Sequence, residues 1–225
     1  MAVRKISFYI SLIVIMTGMV GLPVLVQGGS EGAPVFVPPM RGAPATQVGG
    51  GTRGQAGRAQ IQLLAPRQVA YASTPQPNLY WYLDGSLSYR AEISVLDDQS
   101  AEPLLETTLA ASKPGMQHLS LAKQGVKLLA DRDYEWSIIL IQDEKQRSND
   151  VVATGPIRYV PLSADLQKAI TAASEEEKAH RYAEAGYWYD AMDHLARLLT
   201  KHPNQDRYRH WRNQLLEQVG LPPLN

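Results

Sequence analysis

The chain predicts an α+β protein: an antiparallel β-sandwich over residues 59–162, then a helical segment over residues 163–225 packed on it. Two observations carry this. Between Ala59 and Leu162, short apolar runs recur about every 8–15 residues, each closed by turn residues and none with helical periodicity. Beyond Pro161 the apolar residues switch to steps of three and four, the period of one helix face.

The strands follow in order. Ile61 to Ala65 ends at Pro66, and Leu79 to Leu83 ends at the turn pair Asp84-Gly85. Ala91 to Leu96 alternates and stops at Asp97-Asp98; Leu104 to Leu109 and Met116 to Leu121 come next. Tyr134 to Ile141 is the strongest run, with Trp136, Ile138 and Leu140 on one face, and Val151–Ala153 and Ile157–Val160 close the set. In the aromatic run, Leu79, Trp81 and Leu83 share the core face, while Tyr80 and Tyr82 are expected beneath the helices, the alternatives being a glycan stacked on them or plain exposure.

The helices have readable ends. Ser163 caps a helix bearing Leu166 and Ile170, and Ser174-Glu175-Glu176-Glu177 spells a capping box for the next. Tyr182, Ala185, Trp188, Met192, Leu195 and Leu199 form an apolar stripe, with Trp188 and Leu195 expected in the core. A last helix from about Gln205 carries Tyr208, Trp211, Leu215 and Val219 and stops at Gly220, with Pro222 beyond.

Ahead of these units, Arg4 and Lys5 precede an apolar run from Ile6 to about Val20, then Gly21, Pro23 and Val26-Gln27-Gly28. A basic start, an apolar stretch and a small-residue exit describe a secretory signal peptide, residues 1–28. The protein is therefore expected to be exported, periplasmic or extracellular; the alternative is an anchor left by an uncleaved helix, since Ile6–Val26 reaches the roughly 20 residues a bilayer needs. Residues 29–58, rich in Gly and Pro and without apolar periodicity, read as a disordered linker.

Composition narrows the function. The charge balances at 22 basic and 22 acidic residues, which gives no support to a polyanion-binding role, and no nucleic acid is expected. The chain has no Cys, so disulfides, thiolate metal sites and a Cys nucleophile are excluded. His180, His194, His202 and His210 never stand four apart, so no helical metal motif forms, and neither metal nor cofactor is expected. The linear signatures of a nucleophilic Ser are missing: Ser120-Leu121-Ala122-Lys123 falls at a strand end, and Ser148-Asn149-Asp150 inverts the triplet that accompanies it. Carboxylates gather at Asp97-Asp98, at Asp131 and Asp133, and at Glu175-Glu176-Glu177, all at turns or a helix start where capping favours acids.

Three resemblances rest on particular residues. Leu128, then Tyr134 with Trp136 two residues on, resembles the tyrosine corner of immunoglobulin- and fibronectin-like sandwiches, which implies that subclass. Ala179, Tyr182, Gly186, Ala191, Leu195, Leu199 and Pro203 resemble one tetratricopeptide repeat, with Gly186 at the turn and Ala191 at the helix crossing. One such repeat cannot stand alone and implies docking on the sandwich. The chain from Gly49-Gly50-Gly51-Thr52-Arg53-Gly54 to its end, through Leu79–Leu83, Tyr134-Glu135-Trp136 and Tyr182 to Ala191, resembles a bacterial secreted family known only as domain of unknown function 928. That resemblance implies a fold and no activity.

The function expected is non-catalytic: a protein-binding or scaffolding module of the cell envelope, its partner an envelope protein or glycan. The alternative is an envelope enzyme acting on glycans through dispersed carboxylates. No catalytic residue is named. Tyr187, Tyr189 and Arg197 are the expected binding residues, because aromatic and Arg side chains dominate interface energetics and Arg197 stands with Asp193 and His194 beside the apolar stripe; the competing reading packs Tyr187 and Tyr189 on the sandwich beside Tyr80 and Tyr82. The basic residues Arg197, Lys201, Arg207, Arg209 and Arg212, flanking the last helix turn, are expected to meet an acidic partner or to form a solvated face.

Overall fold

The computed structural model describes residues 32–40, 61–85, 90–109, 113–141 and 144–225. The expected signal segment and most of the expected linker lie outside the described residues.

Among the described residues, eight strands form two sheets. They are β1 (Ile61–Leu63), β2 (Tyr71–Ala72), β3 (Asn78–Leu83), β4 (Arg90–Asp97), β5 (Pro103–Leu109), β6 (Gly115–Ser120), β7 (Asp133–Ile141) and β8 (Val151–Tyr159). One sheet has the order β1-β3-β6 and the other β2-β8-β7-β4-β5. Four helices follow, α1 (Ala164–Ala172), α2 (Glu175–Glu184), α3 (Trp188–Lys201) and α4 (Asp206–Gln218). The class is α+β.

Period-two alternation builds the larger sheet. Ala91, Ile93 and Val95 of β4 are buried, as are Tyr134, Trp136, Ile138 and Leu140 of β7, and the strands pair antiparallel with Ile93 opposite Ile138. On the other face Ser94 lies opposite Ser137, and their hydroxyls meet at 2.8 Å. The hydroxyl of Tyr134 accepts the backbone N–H of Leu129 at 2.9 Å.

Two strand expectations are corrected. The sheets are not wholly antiparallel, because β2 runs parallel to β8 through Tyr71 opposite Arg158 and Ala72 opposite Tyr159. A two-residue strand carries no periodicity to read. Gly155-Pro156 does not break the last strand either: β8 runs through it, with Pro156 opposite Glu135 of β7. On the far side β2 covers only Arg158 and Tyr159, so Pro156 occupies an edge stretch where a missing N–H is tolerated.

The helix caps form as read. The Ser163 hydroxyl accepts from Leu166 N–H, and Ser174 with Glu177 completes the capping box. The α2–α3 turn is closed by Gly186 at φ +83°, in the left-handed region where side chains are disfavoured.

Part of the expected linker is a structural element. Gly32 to Met40 lies against the helices without regular secondary structure, with Phe36 buried and its ring edge-on to Trp188 at 5.0 Å. The disorder expected for 29–58 is corrected over residues 32–40: Phe36 supplies the burial that composition alone did not suggest, and side chains of α2 and α4 bond its backbone.

Helix α3 ties the sheets to the helices. Trp188 Nε1 donates to the carbonyl of Leu64 at 2.8 Å, just past β1. The Tyr189 hydroxyl donates to Pro156 O in β8 at 2.8 Å and accepts from Trp136 Nε1 in β7 at 2.9 Å. The β2 segment is held between sheet and hairpin, since Tyr71 N–H donates to Gly186 O at 3.0 Å while Arg158 N–H donates to Ala70 O at 3.0 Å. A single cluster of buried residues runs through both sheets and all four helices.

Candidate functional site

Among the described residues, the polar face of α3 sets a row of titratable side chains against a concave surface. Asp190, Asp193, His194 and Arg197 stand at helical spacing on one side of α3. Across from them are Ser73, just after β2, and Asn78 and Tyr80 of β3. The cleft between α3 and the β3–β6 pair has a volume of about 330 Å³ and is lined in part by Asn78, Tyr80, His118, Asp193 and Arg197.

Asp193 is fully engaged. One oxygen accepts from Asn78 Nδ2 and from the Tyr80 hydroxyl, both at 2.7 Å, and the other faces Arg197 Nη2 at 2.5 Å. Burial, then the Asp193 charge, pushes the Tyr80 phenol well above its ordinary value, so it stays a proton donor. Arg197 is the exposed member, its side chain 61% accessible. The ring of Tyr80 also lies against His118, with centroids 5.4 Å apart.

One turn earlier, Asp190 accepts from Ser73 N–H at 2.7 Å and from the Ser73 hydroxyl at 2.5 Å. Burial raises its carboxyl to about 6 despite these two bonds. His194 stacks on Tyr182 at 5.3 Å. Burial and then Arg197 hold its imidazole below the usual value, so the 3.6 Å approach of Glu175 to its Nδ1 is not an ion pair at neutral pH.

The expected binding residues separate. Tyr187 and Tyr189 are corrected from contact positions to core, at 6% and 2% exposure. The Tyr189 hydroxyl is consumed by Trp136 and Pro156 as above, and Tyr187 packs edge-on to Tyr71 at 5.6 Å. Both lie at the start of α3, the end that sinks into the sheets. Arg197 alone reaches a solvent-facing cleft. Trp188, Leu195 and Tyr80 take the buried positions expected of them.

The turn carboxylates meet at one end of the larger sheet but stay outside the cleft. Asp97 pairs with Arg132 at 2.7 Å, and Arg158 reaches Asp133 at 2.8 Å and Asp131 at 3.9 Å. Asp98 is raised by burial and by neighbouring Asp97 and Asp133. Among the described residues no cluster of His, Asp and Glu is arranged to hold a metal. The basic group is largely committed as well. Arg207 pairs with Glu176 and lies 4.9 Å over the Tyr208 ring, Arg209 pairs with Asp206 at 2.7 Å, and buried Arg212 donates to Leu224 O at 2.9 Å.

Sequence reasoning missed Ser73, Asn78 and Asp190 as partners across this seam. The available signal was the row Asp190, Asp193 and Arg197 at intervals of three and four. It marks a polar helix face without saying that a sheet lies opposite.

Comparison with curated proteins finds no match to this sequence. Among solved structures, similarity extends to an engineered protein with TM-score 0.31 and 10% identity over 46% of this chain and 20% of that one. It extends also to Astrotactin-2, a vertebrate-specific, perforin-like membrane protein involved in neuronal development, with TM-score 0.31 and 13% identity over 72% of this chain and 32% of that one. This chain thus spans a third or less of either protein, and a likeness at that score carries no argument about its fold. A family model described as Domain of Unknown Function (DUF928) matches residues 48–225. The chain belongs to that family.

Proposed function

We propose that this protein is an exported, non-catalytic binding module of the cell envelope, its immunoglobulin-like sheets carrying a tetratricopeptide-like hairpin that meets an envelope protein. The Leu129–Tyr134 bond supports the first likeness, and the left-handed Gly186 with fully buried Ala191 supports the second. Export rests on the signal-like residues 1–28.

One observation carries the non-catalytic reading. The carboxylates of the cleft and several of those at the turns are already bound to other groups: Asp193 by three side chains, Asp190 by Ser73, Asp97 by Arg132 and Asp133 by Arg158. A glycosidase needs two carboxyls flanking a substrate from opposite sides, and the cleft holds one, fixed in place.

The test is capture from an envelope extract with wild type and Arg197→Ala. Retention of a defined envelope protein, reduced in the variant with an unchanged melting temperature, supports the reading. Glycan cleavage by the wild type that Asp98→Asn or Asp133→Asn abolishes, with no partner retained, refutes it.

A further inference from the structure

We propose that the helices form a groove for extended peptides, and that residues Gly32–Pro39 are its tethered, displaceable occupant. This deepens the binding-module reading and rests on it. The segment is held as a ligand is held. The Gln218 amide reads its backbone twice, accepting Phe36 N–H at 2.7 Å and donating to Pro34 O at 2.9 Å. His180 Nε2 donates to Gly32 O at 2.9 Å, and Val37 N–H donates to Ala183 O at 3.1 Å, so α2 and α4 both grip the main chain. Main-chain bonds with pockets for alternate side chains are how proteins hold extended peptides.

Side-chain recognition falls on two positions. Pro34 and Phe36 face inward and are buried, with Phe36 against Trp188, while Val35 and Val37 point outward at 57% and 50% exposure. At the far end the groove floor is Gly186, where a Cβ would come within 3.0 Å of Pro39 and 3.2 Å of Val37 O. The groove is wider than its occupant: an open furrow of about 470 Å³ continues beside it, lined by Ala33, Val35, Gln214, Glu217 and Gln218. The ligand class is an extended peptide with Pro and an aromatic residue two positions apart, followed by a small or cyclic residue over Gly186.

The segment and β1 belong to one chain, so the occupant is intramolecular, and a free peptide at micromolar concentration should not displace it from the wild-type protein.

The probe is a fluorescent peptide of residues 32–40, titrated by anisotropy into the otherwise complete chain carrying Pro34→Ala and Phe36→Ala. Binding to this variant at least tenfold tighter than to wild type is expected. A further loss of at least tenfold should follow when the peptide carries Phe36→Ala, and about fivefold when Gln218→Ala is added to the chain. A variant with native circular dichroism that ignores the peptide, or that takes the Phe36→Ala peptide equally well, overturns the proposal. Should the variant not fold, a protease site placed within residues 41–60 of the wild-type chain serves instead. After cleavage, excess labelled peptide should exchange one-to-one with the native segment, and failure to exchange overturns the proposal. Wild-type dimers that grow with concentration and vanish on Phe36→Ala would place the occupant in a second copy and overturn the tethered arrangement. Envelope capture that persists while the peptide fails removes the groove and leaves the binding-module reading intact.

Discussion

Asp190→Asn separates a structural carboxylate from a functional one. Burial raises the folded-state carboxyl from its ordinary 3.8 to about 6. Between those values the folded protein holds a proton that the unfolded chain has released, so stability falls as pH rises through this window. The contribution is complete below about pH 4 and gone above about pH 6. At about 1.4 kcal/mol per unit, the wild type loses roughly 2–3 kcal/mol across it, the lower figure allowing for the part of Asp190 that solvent reaches. Asparagine has no such titration. Its oxygen can still accept Ser73 N–H, and its amide can donate to the Ser73 hydroxyl, so the geometry at the β2 segment is kept. Urea unfolding of both proteins at pH 4, 5, 6 and 7 reads the difference directly, because other acids cancel between them. The stability of wild type relative to variant should fall by about 2–3 kcal/mol from pH 4 to pH 7. Parallel profiles, or a wild type that gains on the variant as pH rises, would mean that Asp190 is not held protonated by burial in the folded state.

Two further substitutions test the seam. Tyr189→Phe removes the hydroxyl between Trp136 Nε1 and Pro156 O, leaving a buried donor and a buried acceptor unpaired; about 2–4 kcal/mol of stability should be lost in urea unfolding. Gly155→Ala places a Cβ 2.7 Å from Ala65 Cβ and 3.1 Å from Trp136 Nε1; overpacking of this kind should cost about 1–3 kcal/mol and shift the near-ultraviolet signal of Trp136.

Local rules made much of this fold legible. The capping box at Ser174, the β7 face of Trp136, Ile138 and Leu140, and the hydroxyl bond of Tyr134 depend on residues within a few positions of one another. What escaped depends on partners far along the chain. Phe36 stands in a stretch without apolar periodicity: Trp188, which receives it, lies far along the chain, and Gln218, which reads its backbone, is an ordinary polar residue on a terminal helix. Tyr189 looked like an interface anchor for the reason that makes it a core residue: an aromatic body with a polar tip satisfies Trp136 and Pro156 as well as it would a partner. The aromatic composition was readable, but the surface it would meet was not. Strand β2 has only two residues, and its place is fixed by Arg158 on one side and Gly186 on the other.

The central claim is that α3 makes the sheets and helices one cooperative body in which the polar face of α3 is a fastening. Native-state hydrogen exchange measures it most directly, through the amides of Trp136, Ile138 and Leu140 in β7 and of Met192, Leu195 and Leu198 in α3. One shared opening free energy is expected for both sets, equal to that of global unfolding. Helix amides that open several kcal/mol below a still-protected β7 would contradict it, because the hairpin would then be a separate unit resting on the sheets.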